Sequence, residues 1–132
     1  MVLTRGDPTN SESLLLAYDT VSQRFAGEPR VAIHRLFSED AVLLFGNCSF
    51  DWVYLDADHT LESVRRDIHL WWPKVKIGGF LCGHDYIEER WEKSYSYIQV
   101  KEAVDQFCVE SGLELYVLTD EKYGSWTIRR DR

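Results

Sequence analysis

FDWVYLDADHTLESVRRDIHLWWPKVKIGGFLCGHDY, residues 50–86, is the stretch whose reading decides the fold. It opens with an apolar run, Trp52 to Leu55, held between Asp51 and Asp56. A short run without alternation predicts a strand buried on both faces, as in a parallel sheet. From about Thr60 to Trp72 the apolar residues Leu61, Val64, Ile68 and Trp71 or Trp72 recur at helical spacing, and Pro73 closes the helix. Residues 77–82, with Gly78 and Gly79 at their start, read as a second buried strand. Strand, helix and strand in so short a span make a βαβ unit.

Working outward, the same logic divides the rest of the chain. Residues 1–10 are polar, with Gly6 and Pro8, and read as a loose lead-in. Over residues 11–26, Leu14, Tyr18, Val21 and Phe25 mark a helix that Gly27 and Pro29 stop. RVAIH, residues 30–34, is short and β-branched, hence a strand. Ser38 is placed to cap a brief helix through Leu44, with Glu39 and Asp40 in its first turn. After a polar and aromatic loop over residues 84–97, a helix over 98–111 carries Val100, Ala103, Val104 and Phe107 on one face and ends at Gly112. Two strands, 113–118 and 125–129, joined by TDEKYG, form an antiparallel hairpin. The alternation predicts an α/β sandwich with a mostly parallel sheet and one antiparallel strand at its C-terminal end. Residues 11–132 make the single domain.

The formal net charge of −7 makes the chain a poor non-specific binder of nucleic acid or anionic membrane. No stretch approaches the roughly 20 apolar residues of a membrane span. Cys48, Cys82 and Cys108 form no CxxC pair and are odd in number, which speaks against a disulfide framework or zinc ribbon. Cys82 and Cys108 read as buried thiols in a reducing, cytoplasmic setting. Of the five tryptophans, Trp52, Trp71, Trp72 and Trp126 read as core or packing residues, while Trp91, in a polar loop, is the one placed to line a site.

In open α/β sheets ligands bind at the carboxyl ends of strands. Two polar clusters fall there: Asp56-Ala57-Asp58-His59 and His84-Asp85-Tyr86. If their strands adjoin, the clusters face each other across one crevice. Each also has a plain structural reading, helix capping by Asp58 or Thr60 and an Asx-type turn at His84-Asp85. Two functional readings stand beside these. Asp56, His84 and Asp85 could hold a divalent metal: carboxylates favour Mg²⁺ or Ca²⁺, and an added imidazole shifts the preference toward Mn²⁺, Fe²⁺ or Zn²⁺. Alternatively His59 or His84 acts as a general base oriented by a carboxylate, because an imidazole pKa of about 6.5 suits proton acceptance at neutral pH. Gly78-Gly79 is read as a turn and not a phosphate loop, since no helix N-terminus follows it. The chain contains no GxGxxG, Walker loop or GxSxG.

Residues 50–86 resemble the middle of class I S-adenosylmethionine-dependent methyltransferases, in particular a group with an "IDGDHSYE…D…W…L..GG…..HDY" pattern. The flanks agree more weakly, over residues 11–130. The resemblance implies a Rossmann-like three-layer sandwich, S-adenosylmethionine as cofactor, and methyl transfer to a small-molecule or sugar hydroxyl. It places Ser38, Glu39 and Asp40 beside the adenine and makes Asp56 the acidic residue after the fourth strand. In the metal-dependent members that Asp, with residues matching His84 and Asp85, holds a metal, Mg²⁺ or Mn²⁺. His-Asp stands here where Asp-Asn is typical. The family's Gly-rich loop and its ribose-binding acid have no counterpart in this sequence, so an incomplete N-terminus, weak cofactor binding and an inactive fragment are the corresponding expectations. The strands carrying them would lie between the Val31 and Val53 strands, so those two either pair directly or leave the Val53 strand as an open edge. An open edge invites self-association. A non-catalytic module acting by association, and a metal-dependent hydrolase using the Asp56 and His84-Asp85 clusters, are the alternative readings.

Overall fold

The computed structural model describes residues 11–87, 89–90, 97–118 and 123–132. Helix α1 (Ser11–Phe25) and a single-turn helix α2 (Ser38–Ala41), continued by a 3₁₀ turn over Val42–Leu44, lead into strand β1 (Phe50–Leu55). Helix α3 (Leu61–Trp71) follows, prolonged by a 3₁₀ turn over Trp72–Lys74 with Pro73 in it, and then β2 (Val75–Gly83). A two-residue ribbon, β3 (Glu89–Arg90) with β4 (Tyr97–Ile98), stands where the sequence predicts only loop. Helix α4 (Val100–Ser111), β5 (Leu115–Leu118) and β6 (Ser125–Arg129) complete the order. Gly112 ends α4 in the left-handed conformation, φ 63°, as its sequence position predicts.

The main sheet runs β1-β2-β6-β5. β1 and β2 are parallel, and β6 is antiparallel to both β2 and β5. The fold is therefore α/β and Rossmann-like, with a mixed sheet ending in the expected antiparallel hairpin. Helices α3 and α4 cover one face. Val64, Ile68 and Trp71 from α3, with Val100, Ala103, Val104 and Phe107 from α4, close on Val75, Leu81, Trp126 and Ile128. Ile68, Leu81 and Ile128 are 0% exposed, each contributing about 1.5–3 kcal/mol relative to an exposed side chain.

Four expectations are corrected by this arrangement. β1 is not buried on both faces. From Trp52 to Leu55 its side chains alternate, and Trp52 is 62% exposed, because it lies on the face of the sheet that α3 and α4 leave uncovered. Register places Trp52 beside Phe80, and Tyr54 in one row with Cys82, Thr127 and Tyr116, all on the face opposite α3 and α4. Residues 30–34 form no strand. Val31 N–H instead closes a turn onto the Glu28 carbonyl at 3.1 Å, and a bridge forms only beyond the segment, at Leu36. Gly78 and Gly79 do not precede β2 but interrupt it. Phe50 pairs with Val75 while Trp52 pairs with Phe80, so the chain bulges between, with Gly78 at φ 84° and Gly79 pressed against the Asp51 carbonyl. Cys82 is half-buried, not buried, since it points to the open face; Cys108 is buried as expected. The lead-in over residues 1–10, Trp91, and most of the TDEKYG linker lie outside the described residues.

Candidate active site

The parallel register sets Leu55 beside Gly83, so the turns that follow β1 and β2 emerge side by side. That closeness needs glycine at 83. A Cβ there would stand 2.6 Å from the Leu55 carbonyl oxygen and 2.6 Å from the Trp126 ring. Beyond the strand ends the two polar clusters meet. His59 Nε2 lies 3.1 Å from Asp85 Oδ2 and 3.4 Å from Asp56 Oδ1. The structure thus brings together Asp56, His59 and Asp85, with one ligand atom from each within 4.8 Å of the others. His84 Nδ1 is 3.4 Å from Asp85 Oδ1, and its ring faces Tyr123. The sequence grouping of Asp56, His84 and Asp85 is altered accordingly: the imidazole between the two carboxylates is His59, because the turn after β1 carries it across toward Asp85.

Local contacts hold this arrangement. Asp58 Oδ1 accepts from Thr60 N–H at 2.8 Å, forming a turn at the start of α3, while the helix N-cap residue Thr60 makes no side-chain cap. The His59 carbonyl accepts from Gln99 N–H at 2.8 Å, and Gln99 Oε1 accepts from Leu61 N–H, so the start of α4 pins the His59 loop. Asp85 sits in the left-handed region at φ 55°, which turns its carboxylate back over the strand ends. Tyr86 N–H donates to the Gly124 carbonyl and its hydroxyl donates to Asp105; burial and that acid push the phenol pKa up.

Ser38 does not cap its helix. Phe37 occupies the N-cap position, and Ser38, buried, turns inward to accept a hydrogen bond from Trp71 Nε1 at 2.7 Å. It helps line a pocket of 240 Å³ with Val53, Leu55, Asp56, Asp67 and Trp71. Glu39 stands apart, 3.9 Å from Arg66, and Asp40 is exposed; neither lines the pocket. Asp67 is a residue that sequence reasoning missed. It is 5% exposed, and burial raises its carboxyl pKa despite the Ser38 hydroxyl and Arg66. A signal was present: Asp67 falls three residues after Val64 and four before Trp71, a charge on the apolar stripe of α3.

Residues 7–86 match the sequence profile of a family described as Methyltransferase domain. No curated protein matches the sequence at significance. Among solved structures, a Corynebacterium glutamicum protein is similar with a TM-score of 0.62 and 14% identity, over 92% of this chain and 58% of that one. A Staphylococcus aureus protein assigned as a caffeoyl-CoA O-methyltransferase gives a TM-score of 0.67 at 12% identity, over 90% of this chain and 61% of that one. A spermidine synthase bound to the transition-state analogue AdoDATO gives 0.51 at 14% identity, over 92% and 42%. At these identities the likeness is one of fold. The chain spans about three-fifths of the length of the first two.

Proposed function

Because the chain belongs to the methyltransferase-domain family matched over residues 7–86, we propose that it serves S-adenosylmethionine-dependent methyl transfer to a hydroxyl of a small molecule or sugar. One observation carries this reading: His59 is held between Asp56 and Asp85 at the adjoining ends of two parallel strands, beside the pocket that Ser38 and Asp56 line.

The residues present fit the base end of the cofactor. Val53, Leu55 and Trp71 offer apolar walls, and Ser38 and Asp67 offer polar groups. A volume of 240 Å³ is below the range of about 300–1,000 Å³ for drug-sized ligands, which suits one ring system and not a whole nucleoside with its side chain. When bound, S-adenosylmethionine supplies an electrophilic sulfonium methyl. His59 supplies the proton acceptor. With Nε2–H donating to Asp85 Oδ2, the ring is held in the tautomer that leaves Nδ1 basic, and the two carboxylates stabilise the imidazolium formed on accepting the hydroxyl proton.

A second role for the same three residues follows from their spacing. Two carboxylates and one imidazole within 4.8 Å make a donor set for Mn²⁺, with Mg²⁺ disfavoured by the nitrogen. In that case His59 is a ligand and not a base. Calorimetric titration of the chain with S-adenosylmethionine, with and without Mn²⁺, tests both. Binding of the cofactor without Mn²⁺ and no uptake of Mn²⁺ supports the base. Uptake of Mn²⁺ that His59→Gln abolishes supports the ligand. No binding of cofactor under either condition defeats the methyl-transfer proposal.

The alternative of association without catalysis rests on β1, an edge strand bearing exposed Trp52 and Tyr54. Under it, β1 pairs with the same strand of a second copy.

A further inference from the structure

Among the described residues, two buried polar atoms near the site have no hydrogen-bond partner: Asp67 Oδ1, an acceptor, and Trp126 Nε1, a donor. They come from opposite layers, α3 and β6, yet both residues line the same small void, together with Asp58, His59 and His84. Arg66 Nε stands 3.9 Å from Asp67 Oδ1, beyond hydrogen-bond reach. Leaving either atom unpaired would cost the desolvation of a buried polar group with nothing in return.

The void measures 20 Å³. One water needs about 10–15 Å³ and two to four polar partners. The chemistry of the two orphans also selects the occupant. A group that bridges them must donate to a carboxylate and accept from an indole N–H. Water does both, whereas a metal cation would meet the indole proton head-on. We propose that this void is a binding site for one ordered water that joins Asp67 Oδ1 to Trp126 Nε1.

The water completes a polar chain through the molecule. Trp71 Nε1 donates to Ser38 Oγ, Ser38 stands near enough to Asp67 to pull its carboxyl pKa down, Asp67 accepts from the water, and the water accepts from Trp126. Its two ends are fixed in the core, since Trp71 is 8% and Trp126 2% exposed. Asp67 is thereby a positioning residue. It ties the Ser38 turn, at the pocket, to β6, beneath the loop that presents His59.

Two indole protons report on this chain in a single ¹⁵N-edited NMR spectrum of the full protein. In the wild type, the Trp126 indole proton shows a cross-relaxation peak to a long-lived water. Asp67→Asn, which keeps an acceptor oxygen, retains that peak. Asp67→Leu, similar in size and apolar, loses it, and the Trp71 indole proton then exchanges with solvent about tenfold faster because Ser38 is released. Absence of the water peak in the wild type overturns the site, whether or not the leucine variant folds. Its persistence in Asp67→Leu removes Asp67 from the site, and an unmoved Trp71 exchange rate in that variant overturns the positioning role.

Discussion

Gly83→Ala places a methyl group between the end of β1 and the Trp126 ring of β6. Its Cβ would sit 2.6 Å from the Leu55 carbonyl oxygen and 2.6 Å from two carbons of the Trp126 ring, against the 3.4 Å at which ordinary contact begins. Relief requires a shift of about 0.8 Å at both neighbours. Neither yields easily: Leu55 is paired in the sheet, and Trp126 is a rigid ring, 2% exposed. Overpacking of this kind costs about 2–3 kcal/mol. At about 3–5 °C per kcal/mol for a domain of this size, the melting temperature falls by roughly 10 °C. Gly27→Ala is the matched control, because nothing lies within 4 Å of its Cβ, and it stays within about 0.5 kcal/mol of wild type. Thermal unfolding followed by circular dichroism, with tryptophan fluorescence as a second probe, measures both. If Gly83→Ala and Gly27→Ala melt together, the close approach of the two strand ends, and with it the geometry of the Asp56–His59–Asp85 group, is wrong.

Further outcomes follow from other parts of the molecule. Asp67 has a raised pKa in the folded chain, from burial first and then from Glu39 and Asp58, against the opposing pull of Ser38 and Arg66. The folded state therefore holds this proton more tightly than the unfolded chain. The stability contribution is full below the unfolded pKa, near 4, and is lost as pH rises through the folded value. Urea unfolding should show Asp67→Asn gaining on wild type at pH 7 relative to pH 4, and an equal difference at both values would refute the buried charge. His59→Gln should lower methyl transfer by about 100-fold or more while cofactor affinity stays within twofold; a parallel loss of both would assign His59 to binding instead. On the association reading, light scattering should show mass rising with protein concentration, and Trp52→Lys should return the chain to a monomer. A wild type that remains monomeric at every concentration ends that reading.

How much of this was legible in the sequence depends on what each residue answers to. The βαβ unit could be read because its signals are local: apolar runs of strand length, a 3.6-residue stripe, and Pro73 at the helix end. The convergence of Asp56 and Asp85 could be read from strand order alone, since carboxyl ends of adjoining parallel strands share one edge. Which imidazole enters between them could not. That depends on the path of a four-residue turn, and on Gln99 holding the His59 carbonyl from forty positions away. Residues 30–34 have the β-branched composition of a strand, but a strand exists only with a partner, and pairing is a property of the whole sheet. The continuous apolar run of β1 predicts burial on both faces, yet it is equally the composition of a strand whose Trp52 and Tyr54 stand on a face that α3 and α4 leave uncovered. Ser38 has the residue type and neighbours of an N-cap, yet the indole of Trp71, thirty-three positions on, competes for its oxygen and wins.

Asp85, two residues beyond the end of β2, adopts a backbone conformation that disfavours a Cβ, φ 55°, at a cost of about 1 kcal/mol relative to glycine. A glycine there would relax the corner and remove the carboxylate that His59 meets at 3.1 Å. Thermostability and chemistry thus pull this one position in opposite directions. A library ranked by melting temperature alone should enrich Asp85→Gly, and the variants it favours would be the ones in which His59 has lost its nearer acid.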